Sequence, residues 1–234
     1  MKTVLVTGGA RGIGAEIAKI FAQNGYSVII NYNSSFESAQ NLCAEIVKNG
    51  GDAHIYKADL RNAYEIKSMF DYILTYFKKL DVLVNNAGVS YTGTIDCLSD
   101  EEVKNIFSVN AVAPYFCCKY ALPLLKKSPK SSVVNISSIW GINGASCEAA
   151  YSMTKHAIVG LTKSLAKEWS LIPINVNCVC PPFVFTSMTK GYSQKEVDDF
   201  CKETGTHAYN PCDVAKDVYK LALSNKSGVI LIEK

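Results

Sequence analysis

The chain has 234 residues, 48% of them apolar and 19% charged, with a formal net charge of +3. That is the profile of a globular chain long enough to bury a sizeable core. It argues against nucleic-acid binding, because the excess charge is small and only "KKSPK" at 126–130 clusters lysines, and against a membrane span, because no apolar run approaches the roughly 18 residues required.

The N-terminus, "MKTVLVTGG", carries too short an apolar stretch for a secretory signal. It reads as the first strand, residues 3–7, of a cytoplasmic protein. The strand runs into "TGGARGIG", Thr7 to Gly14, and then into a helical pattern over 12–24. A glycine turn between a strand and an amphipathic helix suits a pyrophosphate: the turn is tight, the backbone comes close, and the helix N–H groups favour an anion. Gly8, Arg11, Gly12, Ile13 and Gly14 are the predicted contacts.

The second strand, 27–31, ends in "IINYNSS". Chains that bind NAD usually place an acid here for the ribose 2′-hydroxyl, and it would repel a 2′-phosphate. Asn31, Tyr32, Asn33, Ser34 and Ser35 are neutral, and Arg11 can bring a cation to the same region. The combination favours NADPH.

Onward, strand-like runs at 53–57, 81–85, 132–137, 174–180 and 229–232 alternate with helical patterns at 36–48, 62–78, 99–127, 151–170, 193–204 and 211–223. The strands are rich in Val and Ile and continuously apolar, as burial on both faces of a parallel sheet requires. Seven strands alternating with helices predict an α/β fold: a single doubly wound (Rossmann) domain over 1–234, with a seven-stranded parallel sheet and helices on both faces. Residues 86–98 and 181–210 break the alternation after strand C-termini, the edge where such sheets bind ligands, and are predicted substrate loops. The nine cysteines form no CxxC, and none of the three histidines has zinc-site spacing, so reduced packing thiols and no metal are expected.

Within "AAYSMTKHAIVG" (149–160), Tyr151 and Lys155 are four residues apart and share one helix face. Together with "TGGARGIG", "NNAG" (85–88), Asn110 in "SVNAVAP" and "NISS" (135–138), this pair makes the whole chain resemble the classical short-chain dehydrogenase/reductase family. Ser138 precedes Tyr151 by 13 residues (151 − 138), an interval typical of its classical members. Within the family the chain is most similar to the 3-oxoacyl-[acyl-carrier-protein] reductases of fatty acid biosynthesis.

The resemblance implies NADPH-dependent reduction of a ketone to a secondary alcohol, the ketone being tethered to an acyl carrier protein. Tyr151 would supply the proton, Lys155 would bind the nicotinamide ribose, Ser138 would hold the carbonyl oxygen, and Asn110 would hold a helix irregularity and a water leading to Lys155. A free tyrosine, with pKa about 10, is a usable acid, and a nearby ammonium would bring that value down. By the same likeness Asp59 and Leu60 flank the adenine, and Asn85, Ala87 and Gly88 pass the ribose. In "PPFVFT" (181–186), Pro181, Val184 and Thr186 lie against the nicotinamide. A homodimer or homotetramer is implied, because the helices matching 99–127 and 151–170 pair in relatives.

The sequence departs from the family at Pro182, where a glycine is usual, and ends without the usual Asp-Gly-Gly segment. "SSIWGINGASCE" (137–148) is also similar to short family members that reduce a ketone carried on a lysine of elongation factor P. A free small ketone stays open as a third substrate. A dinucleotide-sensing regulator on the same fold would be expected to show a broken Ser-Tyr-Lys set, and here the set is intact.

Overall fold

The computed structural model describes residues 1–232. Seven strands form one sheet: β1 (Lys2–Val6), β2 (Tyr26–Tyr32), β3 (Asp52–Lys57), β4 (Val82–Asn85), β5 (Ser131–Ile136), β6 (Ile174–Cys180) and β7 (Ile230–Ile232). Their order is β3-β2-β1-β4-β5-β6-β7, and every neighbouring pair is parallel. The predicted seven-stranded, doubly wound parallel sheet is the one observed.

Successive residues of a strand point to opposite faces, which is why these strands read as unbroken apolar runs. Val4 and Val6 join a core with Val28, Ile30, Val82 and Val84 on one face. Leu5, Ile29, Leu83 and Val133 join the core on the other. The first face is covered by α1 (Gly12–Gln23), α2 (Phe36–Lys48) and α8 (Pro211–Leu223). In α1 the buried residues Ile17, Ala18, Phe21 and Ala22 form a single helical stripe. The opposite face is covered by α3 (Ala63–Tyr76), α5 (Ala113–Leu125) and α6 (Ala149–Glu168).

The pattern over 99–127 predicts one helix, and the structure divides it. After α4 (Asp100–Phe107) comes a π-helical stretch, Ser108–Val112, and only then α5. The widened turn carries Asn110, which is 1% exposed. Its amide donates to the Val89 carbonyl (2.9 Å) and to Thr154 Oγ1 (3.2 Å), while its oxygen accepts the Val89 N–H (2.9 Å). Single π-helical turns of this kind are commonly found at functional positions.

The strand order reverses direction between β1 and β4, so the loops leaving these two strands diverge and open a cleft at their C-terminal edge. Residues 86–98 contain neither helix nor strand, whereas 181–210 contains α7 (Gln194–Thr204). Helix α7 begins with a reciprocal capping box, Ser193 with Glu196, and ends at Gly205 in the left-handed region. Among the described residues, no helix is long and apolar enough to cross a membrane.

Candidate active site

The cleft floor begins at the glycine turn. Gly8 has φ +59°, and a Cβ there would lie 2.9 Å from the Ala87 Cα, so the turn and the β4 loop meet in backbone contact that only glycine permits. Helix α1 starts from Arg11, whose side chain caps nothing, and its first turn carries no acid. Its leading N–H groups are therefore left for an anion such as the phosphates of a dinucleotide. Ile13 and Gly14 lie in that first turn, with Ile13 half-buried and Gly14 buried.

The turn is held from behind by Asn86 and Thr7. Asn86 donates to the carbonyls of Thr7 (2.9 Å) and Gly8 (3.1 Å), and Thr7 Oγ1 accepts the N–H groups of Asn86 (3.0 Å) and Ala87 (3.1 Å). In this brace Asn86, rather than its neighbour in "NNAG", is the structural amide. Asn85, expected beside the ribose, is 4% exposed and donates to Asn135 Oδ1 across the sheet (2.8 Å).

A similar shift applies at the end of β2. Asn31 is 1% exposed; its oxygen accepts the Gly8 N–H (3.2 Å) and its amide donates to the Ala58 carbonyl (3.2 Å). That carboxamide holds the glycine turn and is not free to meet a ribose. Tyr32 is also buried, while Arg11, Asn33 and Ser34 face solvent. Asp59 is held by the guanidinium of Arg61, which keeps its carboxyl below the usual carboxylate range, and Leu60 beside it is buried.

At the other end, Ser138 lies two residues beyond β5 and precedes a short 3₁₀ turn, Ile139–Gly141. Its hydroxyl accepts the Trp140 N–H (3.2 Å), and it lies close enough to the Tyr151 phenol to favour the ionised phenol slightly. Because the Trp140 N–H fills an acceptor position, the Ser138 proton remains available for a second partner. Lys155 lies one turn beyond Tyr151 on α6, is 5% exposed, and has its Nζ 5.4 Å from the Tyr151 ring centroid. That ammonium donates to the Ile136 carbonyl (3.1 Å). A Cβ on Gly88 would lie 3.6 Å from Lys155 Nζ and 3.5 Å from Asn110 Oδ1, so the β4 loop, the π-helical turn and the lysine share one space. Ser138, Tyr151, Lys155 and Asn110 are thus gathered from three separate stretches of chain.

The electrostatics differ from the sequence-based expectation. An ammonium beside the phenol predicts a lowered tyrosine pKa. In the structure the Tyr151 phenol is pushed up, chiefly by burial and further by the carboxylate of Glu148, against which the Ser138 hydroxyl is a smaller opposing effect. Lys155 is itself pulled down to about 8 by burial. Burial disfavours both charged forms, and here it outweighs their mutual attraction.

That displacement has a stability consequence. A lysine whose folded value lies below its unfolded one costs stability at low pH, and the cost fades as pH rises through the window between them, from about 8 to 10.5. The stability of Lys155→Met relative to wild type is therefore expected to fall by roughly 2 kcal/mol between pH 7 and 9.5, read by denaturant titration without cofactor. A gap independent of pH would show that the amine is not desolvated.

After β6, the Pro181 carbonyl accepts the Ile139 N–H (2.8 Å). Despite Pro182, the following segment is fixed by pairing with Tyr209: Tyr209 N–H donates to Phe183 (2.8 Å) and Phe185 N–H to Tyr209 (3.0 Å), with Val184 between them. Thr186 comes back over the glycine turn, where a Cβ on Gly12 would lie 3.5 Å from its methyl. Phe183, Thr186, Thr189 and Tyr192 line a cavity of about 290 Å³ in this loop.

Comparison with known proteins agrees with this geometry. A family model described as short chain dehydrogenase matches residues 2–197. The 3-oxoacyl-[acyl-carrier-protein] reductase FabG of Staphylococcus aureus is 36% identical over 194 residues, covering 83% of this chain and 79% of the relative. The 3-oxoacyl-[acyl-carrier-protein] reductase of Synechocystis is 34% identical over 199 residues, covering 85% and 81%. A short chain dehydrogenase from Burkholderia cenocepacia, crystallised in complex with NADP, superposes with a TM-score of 0.91 at 29% identity, covering 100% of this chain and 96% of the other. The chain belongs to the short chain dehydrogenase family and is an NAD(P)-dependent oxidoreductase acting between CH–OH and C=O.

Proposed function

We propose that the protein reduces a ketone to a secondary alcohol with NADPH, and that the ketone is a 3-oxoacyl group carried as a thioester on an acyl carrier protein. The observation that carries this reading is the convergence of Ser138, Tyr151 and Lys155 at the mouth of a glycine-turn cleft. The turn itself fits a dinucleotide, since its closest approach tolerates no side chain and its helix start is uncapped. Arg11 and the neutral residues Asn33 and Ser34 would meet a 2′-phosphate, Lys155 the nicotinamide ribose, and Val184 and Thr186 the carboxamide.

When bound, a reduced nicotinamide supplies hydride to the carbonyl carbon. The chain's residues manage the oxygen. Ser138 donates a hydrogen bond that stabilises the developing alkoxide. Tyr151, held protonated at neutral pH, gives up its phenolic proton to that oxygen. The phenolate left behind is balanced by the neighbouring Lys155 ammonium. Asn110 keeps the π-helical turn open beside the amine, giving protons a route from solvent.

The two reductase relatives support the tethered thioester. A ketone on a modified lysine of elongation factor P is the second reading, favoured by the half-buried carboxylate of Glu148 beside Tyr151. We further propose that the protein acts in the cytoplasm as a homodimer or homotetramer. Cofactor oxidation, followed with NADPH and with NADH across acetoacetyl thioesters, small ketones and modified elongation factor P, tests the proposal. NADPH with an acetoacetyl thioester should give the highest kcat/KM, at least about tenfold above NADH. Equal use of the two cofactors would remove the argument from Arg11, and no ketone turnover with either would refute the reductase reading.

A further inference from the structure

The Ser138 hydroxyl takes its direction from one backbone group, the Trp140 N–H that donates to it at 3.2 Å. That N–H belongs to a 3₁₀ turn of only three residues, Ile139–Gly141, and so short a helical piece does not hold itself in water. It is fixed by its neighbours. The Pro181 carbonyl accepts the Ile139 N–H (2.8 Å). The buried indole of Trp140 meets the Phe200 ring edge-on, with centroids 5.0 Å apart and planes at 70°. Phe200 comes from α7 and also meets Phe183 edge-on at 5.6 Å, so α7 and the segment after β6 close around the same turn. Helix α7 has little else to bury. Val197 is its one buried residue, and Phe200, three residues on, shares that face.

We propose that Phe200 is a positioning residue for the reaction: its ring seats Trp140, and through the Trp140 N–H it holds the Ser138 hydroxyl ready for the substrate oxygen. This rests on the ketone-reductase reading. A serine hydroxyl has one proton to give and two acceptor positions. With the Trp140 N–H in one acceptor position, the proton is left for the carbonyl oxygen of a ketone. Edge-to-face packing fixes both the distance and the angle between two rings, so the indole and the backbone that carries it have one place. Removal of the Phe200 ring leaves a space into which the indole can shift. The N–H then moves with it, and Ser138 is free to take another rotamer. The donor is misplaced when charge develops on the oxygen, which is where a small displacement costs most.

Two measurements test the assignment, and the first needs no ketone. The chain has two tryptophans, so isotope labelling of tryptophan alone shows two backbone amides by NMR. Trp169, whose N–H donates to the Leu165 carbonyl (2.9 Å) at the end of α6, is the internal control. Phe200→Ala should speed hydrogen exchange at Trp140 by about tenfold or more relative to Trp169. Phe200→Tyr, which keeps the ring, should leave the ratio within about twofold; Phe200→Leu replaces the alanine variant if that one does not fold. The second measurement is kcat with NADPH and the acetoacetyl thioester of N-acetylcysteamine. Phe200→Ala should lower kcat by about tenfold when Ser138 is present and by less than about twofold in the Ser138→Ala background. A residue that merely seats α7 would cost the same factor in both. An unchanged exchange ratio, or equal losses in the two backgrounds, overturns the proposal. Absence of turnover refutes the reductase reading instead, and the exchange ratio still decides the role of Phe200.

Discussion

Tyr151→Phe is expected to lower the rate of ketone reduction by about a thousandfold while leaving the NADPH dissociation constant within about twofold. Positioned general acids contribute roughly 10²–10⁴ to rate, and the substitution deletes one oxygen and its proton without changing the ring. The phenol stands at a junction: Ser138 acts on it from one side, and Lys155 Nζ lies 5.4 Å from its ring. Burial and Glu148 keep it protonated at neutral pH, which suits a donor in the reductive direction. The same effects hinder phenolate formation, so the amine has to offset them while it carries charge. Lys155 is pulled down to about 8, so reduction should also slow as pH rises through that value and the ammonium is lost. Stopped-flow measurement of NADPH oxidation, with binding followed separately by fluorescence, checks both statements. Full activity in Tyr151→Phe would refute the proton-donor role.

Gly141→Ala should damage the site without touching any of its reacting groups. A Cβ at residue 141 would lie 2.2 Å from Ser137 Oγ and 2.7 Å from the Lys155 carbonyl oxygen. Ser137 Oγ already donates to that same carbonyl at 2.8 Å. The 3₁₀ turn after β5 therefore rests directly on the backbone of α6, at the residue that carries the amine. A methyl group can enter only if α6 moves away from β5, and this separates Tyr151 and Lys155 from Ser138. Overpacking of this kind costs about 3 kcal/mol, or a fall in Tm of roughly 6–12 °C for a chain of this size, and kcat should fall by at least about tenfold. Adding Ser137→Ala removes the 2.2 Å overlap but not the backbone one, so it should restore only part of the stability. An unchanged Tm and kcat in Gly141→Ala would show that the contact is not as close as described.

These two residues mark how differently parts of the site could be read. Tyr151 and Lys155 were visible because helical periodicity places them on one face, and Gly8 to Gly14 because a strand runs straight into them. Both are local relations along the chain. The same holds for the seven strands, whose apolar runs report burial on two faces and hence the parallel sheet. Gly141 carries no such signal, since the atoms that demand it belong to residues 137 and 155. Asn86 and Asn85 are adjacent and identical in type, yet one braces the glycine turn and the other bonds Asn135 across the sheet. Asn31 reads as a free donor at a strand end, and the fold spends its amide on Gly8 and Ala58.

The sequence by itself determined the strand-and-helix alternation, the glycine turn and the placing of Tyr151 and Lys155 on one helix face, because each depends on spacing within a few residues. Tertiary structure alone decided which amides are consumed as braces, that 99–127 is broken by a π-helical turn, and that the phenol is raised rather than lowered. The reason is physical: hydrogen-bond partners, steric contact and desolvation are set by atoms brought together from distant positions, and burial around Tyr151 and Lys155 outweighs the attraction that their spacing alone implies.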